Sequence, residues 1–259
     1  MNSTSATLVA WGNAWLSGHV GLDEAVDAVE RRGGPQLIGT VPPGDLPFEE
    51  GVPLRAALVR LRGLPGTRPT AFRLALPVQG DPLGLVGPGE FNQAALQARE
   101  GVLLRLADRQ VGLVPTTDRR GSSYVGVSWT PYRANDTIPQ VPGLAEAEQA
   151  LKLTLIEVAR ELEGVDDLTG FSPAVHRRVD ALGSGGGTLP AAYPQRARGV
   201  AEQAARLAAV VDLADARAGR GMSAHQADLR SRSLRRLDAA VRRALVAAHS
   251  SIPLSPRHL

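Results

Sequence analysis

Residues 101–132 read GVLLRLADRQVGLVPTTDRRGSSYVGVSWTPY and carry most of the strand signals in the chain. Its apolar and β-branched runs predict three strands, at Gly101–Leu106, Gln110–Pro115 and Ser123–Tyr132. The polar segment Asp118–Gly121, which ends in glycine, predicts the turn between the second and the third strand. Short strands that follow one another without an intervening helix are typical of an antiparallel meander.

The segments upstream predict one more strand among short helices. Apolar residues alternate with other residues over 71–76, which is a strand pattern. The spacing of apolar residues predicts two short helices within 6–32 and one each near 53–62 and 91–99. The Pro/Gly-rich segment 35–53 predicts a loop or an edge segment of the sheet.

The C-terminal part of the sequence predicts helices alone. Apolar residues recur at helical spacing in four segments, 144–162, 173–182, 194–218 and 223–249. The segment Gly183–Gly187, GSGGG, has the composition of a flexible linker. The predicted fold class is therefore α+β, with a small antiparallel sheet and short helices followed by an all-helical C-terminal part that forms a bundle or a hairpin.

Residues 133–143, RANDTIPQVPG, separate these two parts of the chain. The segment has two prolines and no apolar periodicity, which is typical of a domain boundary. The sequence thus predicts an α+β domain at 1–137 and a helical domain at 143–259. The alternative is a single domain in which the helices wrap one face of the sheet.

Composition limits the chemistry and the location of the protein. The 259 residues include no cysteine, which excludes disulfides, a thiolate nucleophile and cysteine-ligated zinc. The N-terminus lacks the basic and long apolar regions of a signal peptide, and no apolar run has the length needed to cross a bilayer. We therefore expect a cytoplasmic protein without a membrane partner.

Sequence motifs for common cofactors and active sites are missing. Gly84, Gly87 and Gly89 do not have the spacing of a phosphate-binding loop, and the only lysine, Lys152, lies within a predicted helix. The five histidines have no metal-ligand spacing, and no serine lies in a nucleophile-elbow motif. The sequence predicts no cofactor and no metal, and it leaves open whether the protein is an enzyme.

Charge is distributed unevenly in the C-terminal part. Residues 141–170 carry a net charge of −5, whereas residues 220–259 carry +6. On a helical wheel, five arginines of the last helix lie opposite or beside its apolar stripe. These arginines are Arg232, Arg235, Arg236, Arg242 and Arg243.

We call these five residues the arginine face. The first interpretation is that they form a solvated surface or pair with the acidic helix of the same chain. An acidic protein partner is the second interpretation. Nucleic acid or a membrane surface is the third, because no recognised DNA-binding pattern and no large apolar wedge accompany the arginines.

Two aromatic residues near the end of a predicted strand, Trp129 and Tyr132, flank Pro131. Aromatic residues make up only 4% of the chain, so such a pair is uncommon in it. The pair predicts either core filling or a surface that contacts a ligand or a partner. In the second case, an active site would form around the pair together with nearby carboxylates.

Four segments carry a resemblance to known proteins: VAWGNAWLSG (9–18), LALPVQGDPLGLVGPGEFNQAAL (74–96), VGVSWTPYR (125–133) and RRLDAAVRRALVAAH (235–249). Together they resemble an uncharacterised actinobacterial family of similar length. The resemblance spans most of the chain and implies an actinobacterial origin. It implies no activity, cofactor or site residue.

Three functional hypotheses follow from the sequence. A non-catalytic binding or scaffold protein is favoured by the charge distribution and by the missing catalytic spacings. The alternatives are an enzyme whose site assembles only in the tertiary structure, and a nucleic-acid-binding protein that uses the arginine-rich last helix.

Overall fold

A computed structural model describes residues 3–86, 89–121, 123–163, 189–215 and 224–252. The described helices are α1 (Thr4–Leu16), α2 (Leu22–Gly33), α3 (Leu54–Gly63), α4 (Glu90–Ala98), α5 (Leu144–Glu163), α6 (Gln195–Asp215) and α7 (Ala224–His249). The strands are β1 (Gln36–Ile38), β2 (Pro69–Ala75), β3 (Gly101–Leu106), β4 (Gln110–Arg120) and β5 (Tyr124–Ala134). This order confirms the predicted α+β class. The helix predicted at 173–182 and the linker Gly183–Gly187 lie outside the described residues.

The five described strands form one sheet with the order β1-β5-β4-β3-β2. The pairs β2–β3, β3–β4 and β4–β5 are antiparallel, which confirms the predicted meander. The strand β1 lies in the segment predicted as a loop or an edge, and it pairs parallel with β5, with Gln36 opposite Val127. The sheet is therefore mixed, with one parallel edge strand.

The hairpin between β4 and β5 is longer than the sequence predicts. The two strands still pair at Asp118 opposite Gly126 and at Arg120 opposite Tyr124. The predicted turn at 118–121 is therefore wrong except at Gly121, whose φ of 62° is a conformation that favours glycine. The residues at 118–120 have the polar composition of a turn, but their backbone groups pair across the hairpin with β5.

Helices pack on both faces of the sheet. The helix α1 lies on the face that carries Phe72, where a Cβ atom at Gly12 would come within 2.8 Å of the Phe72 ring. The helix α4 lies on the opposite face, where a Cβ atom at Gly112 would come within 2.0 Å of the Phe91 ring. Glycine at these two positions lets each helix approach the sheet closely.

The free edge of β2 is covered by a side chain of α1. Asn13 Nδ2 donates to the backbone oxygen of Phe72 at 2.8 Å, and the backbone N–H of Phe72 donates to Asn13 Oδ1 at 2.9 Å. The asparagine side chain therefore replaces a neighbouring strand at this point. It satisfies two backbone groups at an edge that would otherwise leave them without partners.

The described chain divides into two compact units. We call residues 3–141, 189–194 and 249–252 the α+β unit, and residues 142–163, 195–215 and 224–248 the helical unit. Tyr193 belongs to the α+β unit, where its hydroxyl donates to the backbone oxygen of His249 at 3.3 Å. Burial raises the pKa of Tyr193 above its ordinary value. That each part folds as a separate domain, at 1–137 and 143–259, stays a prediction.

Candidate functional site

The arginine face of α7 contacts the acidic helix α5 through Arg236. Its guanidinium pairs with Glu157 and donates to Glu161 Oε1 at 2.6 Å. The hydroxyl of Ser233, one turn earlier on α7, donates to the other oxygen of Glu161. Hydrogen bonds from Ser233 and Arg236 lower the pKa of Glu161 below its usual range. The predicted pairing with the acidic helix is thus confirmed for Arg236.

Two other arginines of α7 keep exposed side chains. Arg232 forms an ion pair with Asp228, one helical turn earlier on the same helix. Arg235 is exposed and adds to the lowering of the Asp228 pKa, to which Arg232 contributes most. These two arginines form the solvated part of the predicted face.

Arg242 does not belong to the exposed face. Its side chain is only 3% exposed, and Nε donates to Asp238 at 2.8 Å. Arg243 is half-buried and donates to the backbone oxygen of Ala239 at 3.2 Å. The helical wheel fails here because burial on α7 is not confined to the apolar stripe. Around Arg242, the residues Ala240, Val241 and Ala244 to Ala248 are all buried.

Trp129 and Tyr132 do not form one surface. They are three residues apart on β5, and successive side chains of a strand point to opposite faces. Trp129 is fully buried and its Nε1 donates to Gln36 Oε1 at 2.8 Å, which confirms core filling for this residue. Tyr132 is half-buried and packs on the other face against the cluster that contains Phe91. The structure therefore does not support an active site built around both aromatics.

The glycine-rich loop before α4 makes a close contact with the sheet. Gly84 has a φ of 84°, and a Cβ atom there would lie 2.7 Å from the backbone oxygen of Leu74. Glycine at this position is required by the turn and by the close approach to β2. Gly87 lies outside the described residues.

Two arginines that the sequence analysis did not single out share a face of the sheet. Arg73 on β2 pairs with Leu103, and Arg105 on β3 pairs with Ala71, so the two arginines are diagonal neighbours. Diagonal neighbours on adjacent antiparallel strands lie about 7–8 Å apart, within reach of long side chains. We call Arg73 and Arg105 the sheet arginine pair. The same face carries Gly112, on which Phe91 packs.

Among the described residues, no carboxylate pairs with either member of the sheet arginine pair. Both side chains are half-buried, and Arg73 Nε is buried without a hydrogen-bond partner in the described part of the chain. Burial lowers the pKa of Arg73, and repulsion from Arg105 lowers it further. Each guanidinium presents several N–H donors in a fixed plane. Such a pair is suited to hold an oxyanion, which supplies both negative charge and acceptors.

A local signal for this pair exists in the sequence. Arg105 is the only charged residue of β3, whose other five residues are buried. Arg73 lies between Ala71 and Ala75 on one face of β2, and both alanines are buried. Arginine is rarely buried without a partner, so an arginine at an inward position of a strand indicates a possible site. The pairing register that brings the two together is not visible in the sequence.

Two features are absent from the described residues, a metal site and a membrane-spanning helix. Within these residues, no group of three or more His, Asp or Glu side chains has the arrangement of a metal site. None of the described helices combines the length and the apolar character needed to cross a membrane.

Comparison with known proteins identifies the family. The model of the Rv1486c-like protein N-terminal domain matches residues 5–145, and that of the C-terminal domain matches residues 145–246. The chain belongs to the Rv1486c-like protein family. No solved structure matches it.

Two relatives from mycobacteria show the extent of the similarity. "Uncharacterized protein ML1804" of Mycobacterium leprae (strain TN) is 28% identical over 294 residues, which cover 96% of this chain and 96% of the relative. "Uncharacterized protein Rv1486c" of Mycobacterium tuberculosis (strain ATCC 25618 / H37Rv) is 29% identical over 244 residues, covering 80% of this chain and 81% of the relative. These relatives confirm the predicted resemblance to an uncharacterised actinobacterial family. Their names assign no activity.

Proposed function

We propose that the protein is a non-catalytic binding protein that holds an oxyanion group of a ligand or an acidic partner at the sheet arginine pair. The observation that carries the proposal is the juxtaposition of two half-buried arginines, Arg73 and Arg105, without a carboxylate partner among the described residues. Like charges at this depth repel each other and are poorly solvated. A bound anion would remove the repulsion and accept charge-assisted hydrogen bonds from both side chains.

The surroundings of the pair favour binding over catalysis. Ala71 and Leu103, the cross-strand partners of the two arginines on β2 and β3, are both buried and apolar. Gln110, opposite Arg105 on β4, donates from Nε2 to the backbone oxygens of Asn135 at 2.8 Å and Thr137 at 3.1 Å. These neighbours supply neither a nucleophile nor a general base, which a catalytic site would need.

Calorimetric titration tests the proposal at low ionic strength with three probes: pyrophosphate, citrate and a hexaglutamate peptide. We expect at least one probe to bind. The variants Arg73→Gln and Arg105→Gln should each weaken that binding about tenfold or more, because hydrogen bonds to charged groups contribute roughly 1.5–3 kcal/mol. The probe that binds separates a phosphate ligand from a carboxylate ligand and from an acidic peptide.

The matched control is Arg68→Gln, which removes an exposed arginine immediately before β2. It changes the net charge by the same amount and should leave the affinity within about twofold, because exposed charges act weakly at a distance. The proposal would be wrong if none of the probes bound. It would also be wrong if the control weakened binding as much as the two site variants.

As a second and weaker part of the proposal, the exposed arginines of α7 bind an acidic protein partner. This part is supported by the exposed side chains of Arg232 and Arg235, whereas Arg236 already binds α5. Arg235→Gln should reduce capture of the hexaglutamate peptide if this surface takes part, and should leave pyrophosphate binding unchanged. Unchanged capture of the peptide would assign Arg235 to the solvated surface.

Two further proposals concern the arrangement of the helices and the location of the protein. We propose that α5, α6 and α7 form a helical bundle, an arrangement supported by the hydrogen bond from Arg196 on α6 to Glu148 on α5 at 2.7 Å and by the pairing of Arg236 with Glu161. A cytoplasmic location is also proposed, and fractionation of cells that express the protein checks it.

A further inference from the structure

The helix α5 has apolar residues on two opposite sides. One side is buried and carries Ala147, Leu151 and Val158. On the opposite side Leu153 is 53% exposed and Ile156 is 48% exposed. Single exposed apolar side chains are normal on a protein surface, but a helix with a second apolar stripe opposite its buried face presents a surface for another helix.

Polar residues extend this exposed apolar pair at both ends. Gln149 lies one turn before Leu153, and Arg160 lies one turn after Ile156; both are exposed. The four residues are spaced by 4, 3 and 4 positions, which is the spacing of a seam between two packed helices. We call Gln149, Leu153, Ile156 and Arg160 the outer stripe of α5.

We infer that the outer stripe of α5 joins two copies of this chain in an antiparallel helix pair. In such a pair, Leu153 of one copy faces Ile156 of the other, and Gln149 faces Arg160. The Gln149 amide oxygen then accepts a hydrogen bond from the guanidinium of the second copy. A parallel pair would place the two Arg160 side chains against each other. The stripe is therefore complementary to itself in the antiparallel direction only.

The residues beside the outer stripe permit close approach. Ala150 and Ala159 are exposed and small, so two helices can pack at short distance along both sides of the stripe. Two charged side chains that flank the stripe are already paired within the chain, Lys152 with Glu148 and Glu157 with Arg236. Arg160 is the charge that the contact itself must accommodate, and the Gln149 amide oxygen of the second copy supplies an acceptor for it. The surface is small, so we expect a weak dimer that forms at micromolar or higher concentration.

Sedimentation equilibrium tests the inference on the full chain over a concentration series from micromolar to submillimolar. The wild type should move from monomer to dimer across the series. The double variant Leu153→Glu/Ile156→Glu should stay monomeric. The matched control is Val59→Glu, which places an acid at a 57% exposed apolar position on α3 and should dimerise like the wild type. A monomeric wild type, or a dimer that the double variant does not disrupt, overturns the inference.

A second variant tests the direction of the pair without touching the apolar residues. Gln149→Glu adds two carboxylate–guanidinium contacts to an antiparallel dimer, so the dissociation constant should fall several-fold at low salt and return towards the wild-type value with added salt. In a parallel dimer the same change would bring two carboxylates together and raise the dissociation constant. Weaker or unchanged dimerisation of Gln149→Glu therefore contradicts the antiparallel arrangement.

Discussion

The buried side-chain amides of the α+β unit and the exposed ion pair between α5 and α7 of the helical unit stabilise the fold in different ways. In the α+β unit, buried side-chain amides bind backbone groups: Asn13 binds Phe72, and Gln110 binds the segment that follows β5. In the helical unit, exposed ion pairs connect helices, as between Arg236, which is 47% exposed, and α5. A buried hydrogen bond leaves orphaned groups when it is broken, whereas solvent replaces an exposed ion pair. We therefore expect substitution of a buried amide in the α+β unit to cost much more than loss of the exposed ion pair in the helical unit.

The largest expected effect is that of Asn13→Leu. Leucine has a similar size but cannot bind the backbone N–H and C=O of Phe72, and each buried group left without a partner costs about 1–3 kcal/mol. The free energy of unfolding, measured with urea, should therefore fall by about 2–6 kcal/mol. The control Asn92→Leu, at a half-buried position of α4, should change it by no more than about 0.5 kcal/mol. Equal effects of the two variants would contradict the role of Asn13.

In the helical unit, the largest effect should come from an apolar residue. Leu237 is 4% exposed and lies in the apolar stripe of α7. Leu237→Ala should lower the free energy of unfolding by about 2–5 kcal/mol, the range for truncation of a buried leucine. At low protein concentration, Leu153→Ala on the exposed side of α5 should change it by less than about 0.5 kcal/mol. A small effect of Leu237→Ala would mean that the predicted stripe is not a packed core.

Two glycines give effects of opposite sign in the two units. Gly112→Ala introduces a Cβ atom 2.0 Å from the Phe91 ring, so the ring must move, and overpacking of this kind costs about 1–3 kcal/mol. Gly199→Ala on α6 has no atom within 4 Å of the added Cβ and should stabilise the helix by up to about 1 kcal/mol. Thermal unfolding followed by circular dichroism measures both. A neutral Gly112→Ala would show that α4 can shift freely on the sheet.

Most elements of the fold were predictable because their patterns are local. Alternation over 71–76 and the three runs in 101–132 predict four of the five strands. The strand β1 has only three residues in a Pro/Gly-rich segment, and it pairs with β5 far along the chain, so no local pattern indicates it. The extended hairpin was missed because the polar residues at 118–120 have turn composition but lie in a paired strand.

The candidate site was less predictable because it depends on register and on burial. Two residues three apart on one strand must face opposite sides, so the separation of Trp129 and Tyr132 follows from the strand prediction alone. The proximity of Arg73 and Arg105 cannot be derived from the strand prediction alone, because it depends on the register between β2 and β3. The burial of Arg242 also depends on what surrounds the whole turn of α7, which a helical wheel does not contain.

The smallest expected effect concerns the ion pair between the helices α5 and α7, and it is measured best as a difference in pH dependence. The pKa of Glu161 is lowered in the folded protein by Ser233 and Arg236. A lowered pKa stabilises the folded state above the unfolded pKa of about 4.3, and this contribution is lost as the pH falls through the folded value. Between about pH 5 and pH 3, the wild type should therefore lose more thermal stability than Glu161→Gln.

The control for this difference is Glu50→Gln, which removes an exposed carboxylate from a loop of the α+β unit and should follow the wild-type pH dependence. Added salt should reduce the difference between wild type and Glu161→Gln, because the carboxylate and the guanidinium are both accessible to counterions. If the curves of wild type and Glu161→Gln were parallel at every pH, the apolar stripe around Leu237 would be sufficient to hold α7 in place. The contrast between the two units would then be sharper still, because the helical unit would draw its stability from apolar packing while its ion pairs contributed nothing measurable.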